Sequence, residues 1–332
     1  MKPSTTQLLL IVAVVLVSAP RSTAQQKVDW NGYLQYRFAD NYLDQAAFSV
    51  RRAKFWLNGT MPDDAHTWSY KLQAMFHQQA QFDFLLQDVY VNYRTNDFEI
   101  TAGQFVPDFS LQRKQPDYTI PLVERAAVVN ALVPAAETMA RDIGLEVKAS
   151  KSDLGSISFG FFNGNGANTL SSRKNFLLVQ RSVVSLFNTG AILQLGYNLS
   201  YRHATTLQCA KMLGPGISFS GNDFRFGFEG RFVLNGIEIQ SEYIEAHLGS
   251  RKASGFYALA DYLITPEHRV SFSIEKLRDL NPATQDDPWY IVAYSYLIKG
   301  DQIKLSLDNR FQFTNSTTTS LTTVQIQYFF HQ

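Results

Sequence analysis

The sequence contains a single cysteine, Cys209, and few charged residues for its length. One cysteine excludes a disulfide-stapled scaffold and a cysteine-based zinc site. Charged residues make up 18% of the 332 residues, below the level of about a quarter that is common in soluble domains. Beyond the N-terminus the chain has no long apolar run, and its mean hydropathy is −0.15. These absences exclude a helical membrane bundle.

Aromatic residues, by contrast, are abundant. The chain has 25 Phe, 16 Tyr and 4 Trp, which together make 14% of its residues. That content excludes a disordered chain. Two classes remain: a soluble globular protein of one or two domains, and a transmembrane β-barrel, in which only every second strand residue faces lipid.

Residues 1–24 have the pattern of a secretory signal peptide. Lys2 supplies a positive start, residues 8–17 are an unbroken apolar run, and Ser22 and Ala24 place small side chains before the expected cleavage point. The run is too short for a spanning helix, and the alternative is a buried N-terminal helix or a membrane anchor. We therefore expect an exported protein.

Cleavage after this segment would leave residues 25–332 as the mature chain. The removal of Lys2 and Arg21 would change the formal net charge from +1 to −1, because the segment contains no acidic residue. A chain without bulk positive charge gives no support for nucleic-acid binding.

Most of the mature chain alternates between apolar and polar side chains. In the first such segment Trp30, Leu34 and Tyr36 share one parity, whereas Gln35 and Arg37 occupy the other. Alternation with a period of two predicts strands that have one apolar and one polar face. About sixteen strands are predicted in this way, at residues 28–39, 47–58, 67–77, 84–94, 97–103, 141–150, 155–163, 175–187, 190–202, 222–233, 236–246, 254–263, 268–277, 287–297, 301–311 and 320–330. The strand at 175–187 has the least regular pattern.

Short and long connections alternate between the predicted strands. The short ones carry the Asn, Asp and Gly that tight hairpin turns require, and they span residues 94–97, 151–154, 187–190, 233–236 and 298–301. The longer ones span residues 163–174, 203–221, 246–253, 277–286 and 312–319. This arrangement is typical of an all-β, antiparallel transmembrane barrel with short periplasmic turns and long extracellular loops. The alternatives are a secreted β-sandwich, for which sixteen strands are many, and a solenoid, for which the sequence has no repeat of fixed period.

One connection is far longer than the others. Residues 104–140 span 37 positions, and within them residues 119–138 have a helical pattern. Four prolines interrupt this segment: Pro107, Pro116, Pro121 and Pro134. Structureless loops of such length are usually functional in compact folds. On the extracellular side, a loop of this length could fold into the lumen and narrow it. The alternative is a surface loop with no role in permeation.

Several short segments resemble the phosphate-selective porin O and P family. They are residues 98–111, which lead into the long loop, residues 141–144, where the chain re-enters the barrel, and residues 161–166, 242–243 and 255–265. These segments occur in the expected order along nearly the whole mature chain. The resemblance implies a sixteen-stranded barrel, usually trimeric, with an infolded third loop. It also implies a channel lined by arginines and lysines, and no cofactor.

Parity places equal numbers of basic and acidic side chains toward the lumen. The ten basic ones are Arg37, Arg52, Lys54, Lys71, Arg94, Lys148, Arg202, Arg225, Arg231 and Lys304. The ten acidic ones are Asp29, Asp88, Glu99, Glu146, Glu229, Glu238, Glu242, Asp261, Glu275 and Asp308. A balanced set weakens the field that would attract an anion. The charge pattern therefore gives little support for strong anion selectivity.

Nine basic residues are the candidate pore-lining or anion-binding side chains. Arg52 and Lys54 share one strand and Lys71 lies on the next, so these three form the best local cluster. The long loop and the strands beside it supply the others. The full set is Arg52, Lys54, Lys71, Arg94, Arg113, Lys114, Arg125, Arg141 and Lys148. The alternative for each of them is salt bridging and solvation along the lumen wall.

The predicted function is an outer-membrane porin of a Gram-negative-type bacterium, for passive diffusion of small hydrophilic solutes or anions such as phosphate. Its expected partners are outer-membrane lipid, the solutes, and further copies in a homotrimer. No enzyme activity, metal or cofactor is expected, since the six histidines lack H-E-x-x-H spacing and no G-x-S-x-G motif occurs. Two alternatives stay open: a barrel hydrolase, and an adhesive barrel that displays loops such as residues 203–221, which contain Cys209.

Overall fold

The computed structural model describes residues 27–63, 66–78, 82–151, 154–169, 175–186, 190–284, 286–314 and 317–331. The predicted signal peptide, residues 1–24, lies outside them. Sixteen strands run through the described residues: β1 (Lys27–Asp40), β2 (Ala46–Asp63), β3 (His66–Gln78), β4 (Phe82–Arg94), β5 (Phe98–Phe105), β6 (Asp142–Lys151), β7 (Gly155–Phe162), β8 (Leu177–Leu186), β9 (Ala191–Leu207), β10 (Phe219–Leu234), β11 (Ile237–Leu248), β12 (Arg251–Leu263), β13 (His268–Arg278), β14 (Trp289–Asp301), β15 (Ile303–Phe313) and β16 (Thr318–His331).

The helices of the described part are short and lie in two loops. They are α1 (Leu111–Lys114) and α2 (Ala127–Leu132), a 3-10 turn at Ala136–Thr138, and α3 (Ala210–Leu213). Within the described ranges, no helix has the length and hydropathy needed to cross a membrane.

The strands close into one barrel. Each strand pairs antiparallel with its neighbours in the sequence, and β1 pairs with β16, where Gly32 lies opposite Phe330 and Asp40 opposite Thr322. Closure removes the free sheet edges, so that the backbone groups of the strands can bond to one another inside a hydrocarbon layer. The predicted all-β antiparallel barrel of sixteen strands is confirmed.

The two faces of the barrel wall differ in chemistry. Outward positions carry large, exposed apolar side chains, such as Phe159 at 60% exposure and Phe228 at 59%. Inward positions carry polar and charged side chains that are buried, such as Arg202 at 2% and Arg225 at 1%. In a membrane the outward set forms a lipid-facing belt, and the inward set surrounds the lumen.

Two β-bulges turn successive polar residues toward the lumen. In the register between β1 and β2, Arg52 lies opposite Gln35 and Val50 lies opposite Tyr36, so that Arg51 is the extra residue of the bulge. The register between β3 and β4 skips Gln87, next to Asp88, in the same way. A bulge re-aims the extra side chain and so breaks strict alternation. This is why parity alone does not assign Arg51 to the lumen.

Some long connections predicted from the sequence are short in the structure. Residues 246–253 contain only a two-residue turn at 249–250, and residues 203–221 reduce to 208–218, because β9 to β12 continue past their predicted ends. Residues 312–319 shorten for the same reason. Backbone pairing does not require an apolar face, so strands extend into sequence where the alternation has faded. The prediction of the strand at 175–187, with its irregular pattern, is confirmed by β8.

Part of the segment considered as a display surface is packed inward. Cys209 caps the start of α3 and is only 3% exposed. Its thiol faces the carbonyl oxygen of Ala131 at 3.6 Å, and Met212 and Leu213 are buried beside it. Residues 209–213 therefore pack against the third loop, whereas residues 215–218 are exposed.

The helical prediction for residues 119–138 is wrong for most of its length. Only α2 and the 3-10 turn at Ala136–Thr138 are helical. Pro121 and Pro134 remove backbone donors within this stretch. Other backbone N–H groups, such as that of Val123, bond to carboxylates of the barrel wall instead of to a helix.

Candidate functional site

The third loop, residues 106–141 between β5 and β6, lies inside the barrel. Val128, Val129 and Leu132 of α2 are completely buried, and α2 packs against β11, β12 and β13. The lumen face of those strands is apolar here, with Ile244 and Tyr257 almost fully buried in the same cluster. The loop thus fills one side of the barrel through hydrophobic packing. The predicted infolded third loop is confirmed.

Carboxylates of the wall hold the loop backbone. Glu242 accepts hydrogen bonds from the N–H groups of Leu111 at 3.1 Å and Gln112 at 2.8 Å. Asp308 accepts from the N–H of Val123 at 2.9 Å. Unpaired N–H groups are costly when they are buried, so these acidic side chains make the inward path of the loop possible.

Basic side chains of the wall bind loop carbonyls in the same way. Arg225 donates to the carbonyl oxygens of Leu132 at 2.9 Å and Val133 at 2.7 Å. Lys304 donates to the carbonyl oxygens of Tyr118 at 3.0 Å and Ile120 at 3.2 Å. Much of the balanced charge that parity assigns to the lumen is therefore engaged in holding the loop.

Glu124, near the middle of the loop, binds three arginines of the wall. Its carboxylate lies 2.8 Å from Arg37 and 3.0 Å from Arg52, and Arg51 makes a third, two-point contact. Burial raises the pKa of the Glu124 carboxyl, but Arg52, Arg51 and Arg37 together lower it well below its usual value. Glu124 thus remains ionised and fastens the loop to β1 and β2.

Asp117 fastens the next part of the loop. Its carboxylate forms an ion pair with Lys54 and accepts a hydrogen bond from the Tyr33 hydroxyl at 3.2 Å. Arg125 of the same loop lies 2.8 Å away, and Arg52 lies 3.8 Å away. Burial raises the pKa of Asp117, but the surrounding cations, Lys54 first, hold it well below its usual value.

A cavity of about 530 Å³ remains open between the loop and the wall formed by β1 to β6. Eight of the nine predicted site residues line it: Lys54, Lys71, Arg94, Arg113, Lys114, Arg125, Arg141 and Lys148. The carboxylates that line it are Asp88, Glu99, Asp117 and Glu146. Positive charge therefore exceeds negative charge by two to one around this cavity, although the lumen wall as a whole is balanced.

Arg52 is the ninth predicted residue, and the structure places it behind the lining. It is 9% exposed and bonds to Gln35 at 2.9 Å and to Glu124. Arg52 therefore positions the loop rather than facing the open space.

Most cations of the cavity are already paired. Lys71 and Arg141 share Asp88, at 2.9 and 3.0 Å, Lys148 lies 3.2 Å from Asp108, and Arg94 binds Glu99. In each of these pairs the carboxylate neutralises part of the positive charge that would otherwise act on a solute.

Arg113 differs from these residues. Among the described residues it has no carboxylate within ion-pair distance; its guanidinium bonds to the carbonyl of Met139, and its Nε is buried without a partner. Burial, followed by the neighbouring Arg141 and Arg125, lowers the pKa of Arg113 well below its usual value. The lowered pKa reflects the cost of a buried cation without a counter-ion. An anion in the cavity would reduce that cost.

Sequence reasoning missed two contributors. The bulge reverses the parity of Arg51, so that alternation does not assign it to the lumen, and Arg181 lies on β8, whose sequence pattern is irregular. Arg181 binds Asp108 of the loop at 2.9 Å and also pairs with Glu229. Nothing in the spacing of residues identifies Arg181, because its partners come from a distant loop and strand.

The comparisons with known proteins agree with this architecture. The sequence model of the family described as phosphate-selective porin O and P matches residues 25–283. No curated protein matches the chain. Among solved structures, OmpF of Salmonella typhi in complex with daunomycin is 13% identical, with a TM-score of 0.66, and the match covers 93% of this chain and 99% of that one.

Two further solved structures have the same fold. OmpT of Vibrio cholerae, in its trimer form, is 10% identical with a TM-score of 0.63, and the match covers 92% of this chain and 99% of that one. A variant of the porin of Rh. blastica is 13% identical with a TM-score of 0.62, at 92% and 100% coverage. At these identities the likeness concerns the fold alone.

Proposed function

The chain belongs to the phosphate-selective porin O and P family, whose members are outer-membrane porins, and from that premise we propose that it conducts small hydrophilic solutes by passive diffusion with a preference for anions, phosphate among them. Family membership supports a channel rather than a hydrolase.

The observation that carries the anion preference is the charge around the cavity beside the third loop. Eight basic side chains face four acidic ones there. A narrow space with low-dielectric walls focuses such a field and raises the local concentration of anions. When an anion enters the cavity, hydrogen-bond donors of the wall replace part of its hydration shell.

Arg113 is the cation best placed to contact the solute. Its guanidinium has no carboxylate partner among the described residues, and Lys114, at the same edge of the loop, lies 3.9 Å from its nearest carboxylate, that of Asp108. A planar guanidinium matches the oxygens of phosphate better than a point charge does. The paired lysines around it would add attraction from a greater distance.

The third loop supplies the steric part of the filter. Glu124 and Asp117 fix its position against β1 and β2, and α2 anchors its apolar part on the opposite wall. Because the loop is attached on two sides, the width of the constriction stays fixed. A fixed width keeps the size selection of solutes constant. The trimeric form of the Vibrio cholerae relative supports a homotrimer for this chain as well.

Ion selectivity in planar lipid bilayers tests this proposal. The reversal potential of the purified protein under a potassium chloride gradient should indicate preference for chloride over potassium. Addition of phosphate should reduce the chloride current, since phosphate competes for the same donors. Cation preference, or a chloride current that phosphate leaves unchanged, would refute the anion filter. Absence of any stable open level would refute the channel itself.

A further inference from the structure

Basic side chains gather on the outer face of the barrel, at the rim that carries the long loops. Lys252 lies on β12, and Lys276 and Arg278 lie on β13, opposite Phe256 and Ser254 of β12. All three occupy the outward parity of their strands. Strand spacing and rise place the Cα of Arg278 about 8 Å from that of Lys252 and about 7 Å from that of Lys276.

Two of these cations lack a counter-ion among the residues that the structure describes. On the adjacent strand β11, Glu245 already binds Lys252 at 2.7 Å and His247 at 2.6 Å. Lys276 and Arg278 have no ion-pair partner among the described residues. Lys151, the other outward-facing lysine of the described strands, lies at the opposite end of the barrel beside Gly155.

An apolar groove lies on the same outer face and runs from the middle of the barrel toward the opposite rim. Its volume is about 560 Å³; Ala260 and Phe272 line the part nearer the cations, and Tyr262, Val270 and Ile237 line the part nearer the opposite rim. Phe272 is four residues from Lys276 on the same face of β13, which corresponds to about 13 Å along the strand. The small side chain of Ala260 leaves the space that a larger residue would fill.

We propose that this surface binds a phosphorylated lipid of the surrounding membrane, with the phosphate on Lys276 and Arg278 and an acyl chain in the groove. Charge at the membrane interface and apolar space at the depth of the acyl chains match the two ends of such a lipid. This inference rests on the proposed function in one respect, namely that the barrel spans a membrane and its long loops lie on the outer side.

A second copy of the chain is a poorer match for this surface. Among the side chains that the structure describes, the acidic ones on outward strand positions are those of Asp40 and Glu245, and Glu245 is already paired. A neighbouring subunit would therefore bring little negative charge to Lys276 and Arg278, whereas a lipid phosphate brings it directly.

The test compares two lipids that differ only in the phosphate. The purified full-length protein, in neutral detergent, is titrated with phosphatidic acid and with diacylglycerol of the same acyl chains, and bound lipid is counted by native mass spectrometry. Phosphatidic acid should bind more tightly. The double substitution Lys276→Gln and Arg278→Gln should weaken phosphatidic acid binding roughly 30-fold. The substitution Lys151→Gln, which removes an outward lysine at the other end, should leave binding unchanged.

A second variant tests the groove. Ala260→Trp should weaken the binding of both lipids, because it fills the space for the acyl chain and leaves the cations in place. The proposal is overturned if the double variant binds phosphatidic acid as the wild type does, if Lys151→Gln has an equal effect, or if inorganic phosphate alone displaces the lipid. It is also overturned if the double variant binds phosphatidic acid normally and differs from the wild type only in no longer associating with itself.

Single-channel conductance of the same preparations separates this inference from the proposed function. A wild-type protein that conducts and retains no phosphatidic acid contradicts the lipid site alone. A wild-type protein that retains the lipid and does not conduct contradicts the channel alone.

Discussion

Arg51 and Arg52 are consecutive residues of one strand, yet both bind the carboxylate of Glu124. Strict alternation would send one of them to the lipid face, and the bulge in β2 prevents this. The local irregularity of the strand therefore lets both arginines attach the third loop through one carboxylate.

Removal of the Glu124 charge should release this attachment. The substitution Glu124→Gln leaves three arginines close together without their shared counter-ion, and loss of one partner from a buried ion pair costs about 3–5 kcal/mol. We expect a lower thermal transition and larger current fluctuations, as the loop moves in the lumen. Heat-dependent electrophoretic mobility and single-channel recording measure the two effects. Glu267→Gln, at an exposed turn, is the matched control and should change neither.

The apolar contacts of α2 should contribute about as much to the free energy of unfolding as the ion pairs of the loop do. Leu132 is completely buried against the lumen wall, and Leu132→Ala should cost about 2–5 kcal/mol through lost contacts and a residual cavity. Leu154→Ala, at a residue that is 61% exposed, should cost far less. Thermal denaturation followed by circular dichroism distinguishes the two variants. Equal losses of stability would contradict the assignment of α2 as the anchor.

Acid should loosen the loop only at low pH. The pKa values of Glu124 and Asp117 are lowered in the folded protein. Their contribution to stability is therefore complete above the unfolded carboxyl pKa of about 4, and is lost as the pH falls through the lower folded values. The difference in thermal transition between the wild type and the double variant Glu124→Gln and Asp117→Asn should therefore stay constant from about pH 8 to about pH 5 and shrink below that range. A difference that already shrinks between about pH 7 and pH 6 would contradict this.

The architecture of the barrel could be predicted from the sequence because its cause is local. Alternation such as that of Trp30 and Leu34 against Gln35 defines two faces wherever it occurs, and sixteen such segments indicate closure. The contacts of the third loop could not be predicted in that way. Arg37 and Glu124 are 87 residues apart, and no spacing rule relates them.

The count of charged residues toward the lumen likewise does not predict contacts between distant residues. Parity counts ten cations and ten anions toward the lumen, but it does not tell which of them the loop engages. In the structure Glu242, Glu275 and Asp308 accept backbone N–H groups of the loop. The remaining cavity is then richer in positive charge than the wall as a whole, because carboxylates away from it are used for support.

Arg52 and Lys71, neighbours in the sequence prediction, should respond differently to substitution. Lys71 lines the cavity and pairs with Asp88 at 2.9 Å, so Lys71→Gln should reduce anion preference with little effect on the loop. Arg52 lies behind the lining and holds Glu124, so Arg52→Gln should lower thermal stability more than Lys71→Gln does. Reversal potentials and thermal transitions of the two variants check both statements. The reverse order would contradict the positions assigned to these side chains.

The central claim is that Arg113, without a carboxylate partner among the described residues, contacts the permeating anion. The most direct measurement is phosphate block of the chloride current in planar bilayers, for wild type, Arg113→Gln and the control Arg231→Gln, whose arginine pairs with Glu238 at 2.6 Å. A lost charge-assisted hydrogen bond predicts that Arg113→Gln weakens the block about tenfold or more, while Arg231→Gln leaves it nearly unchanged. Equal block in all three proteins would contradict the account.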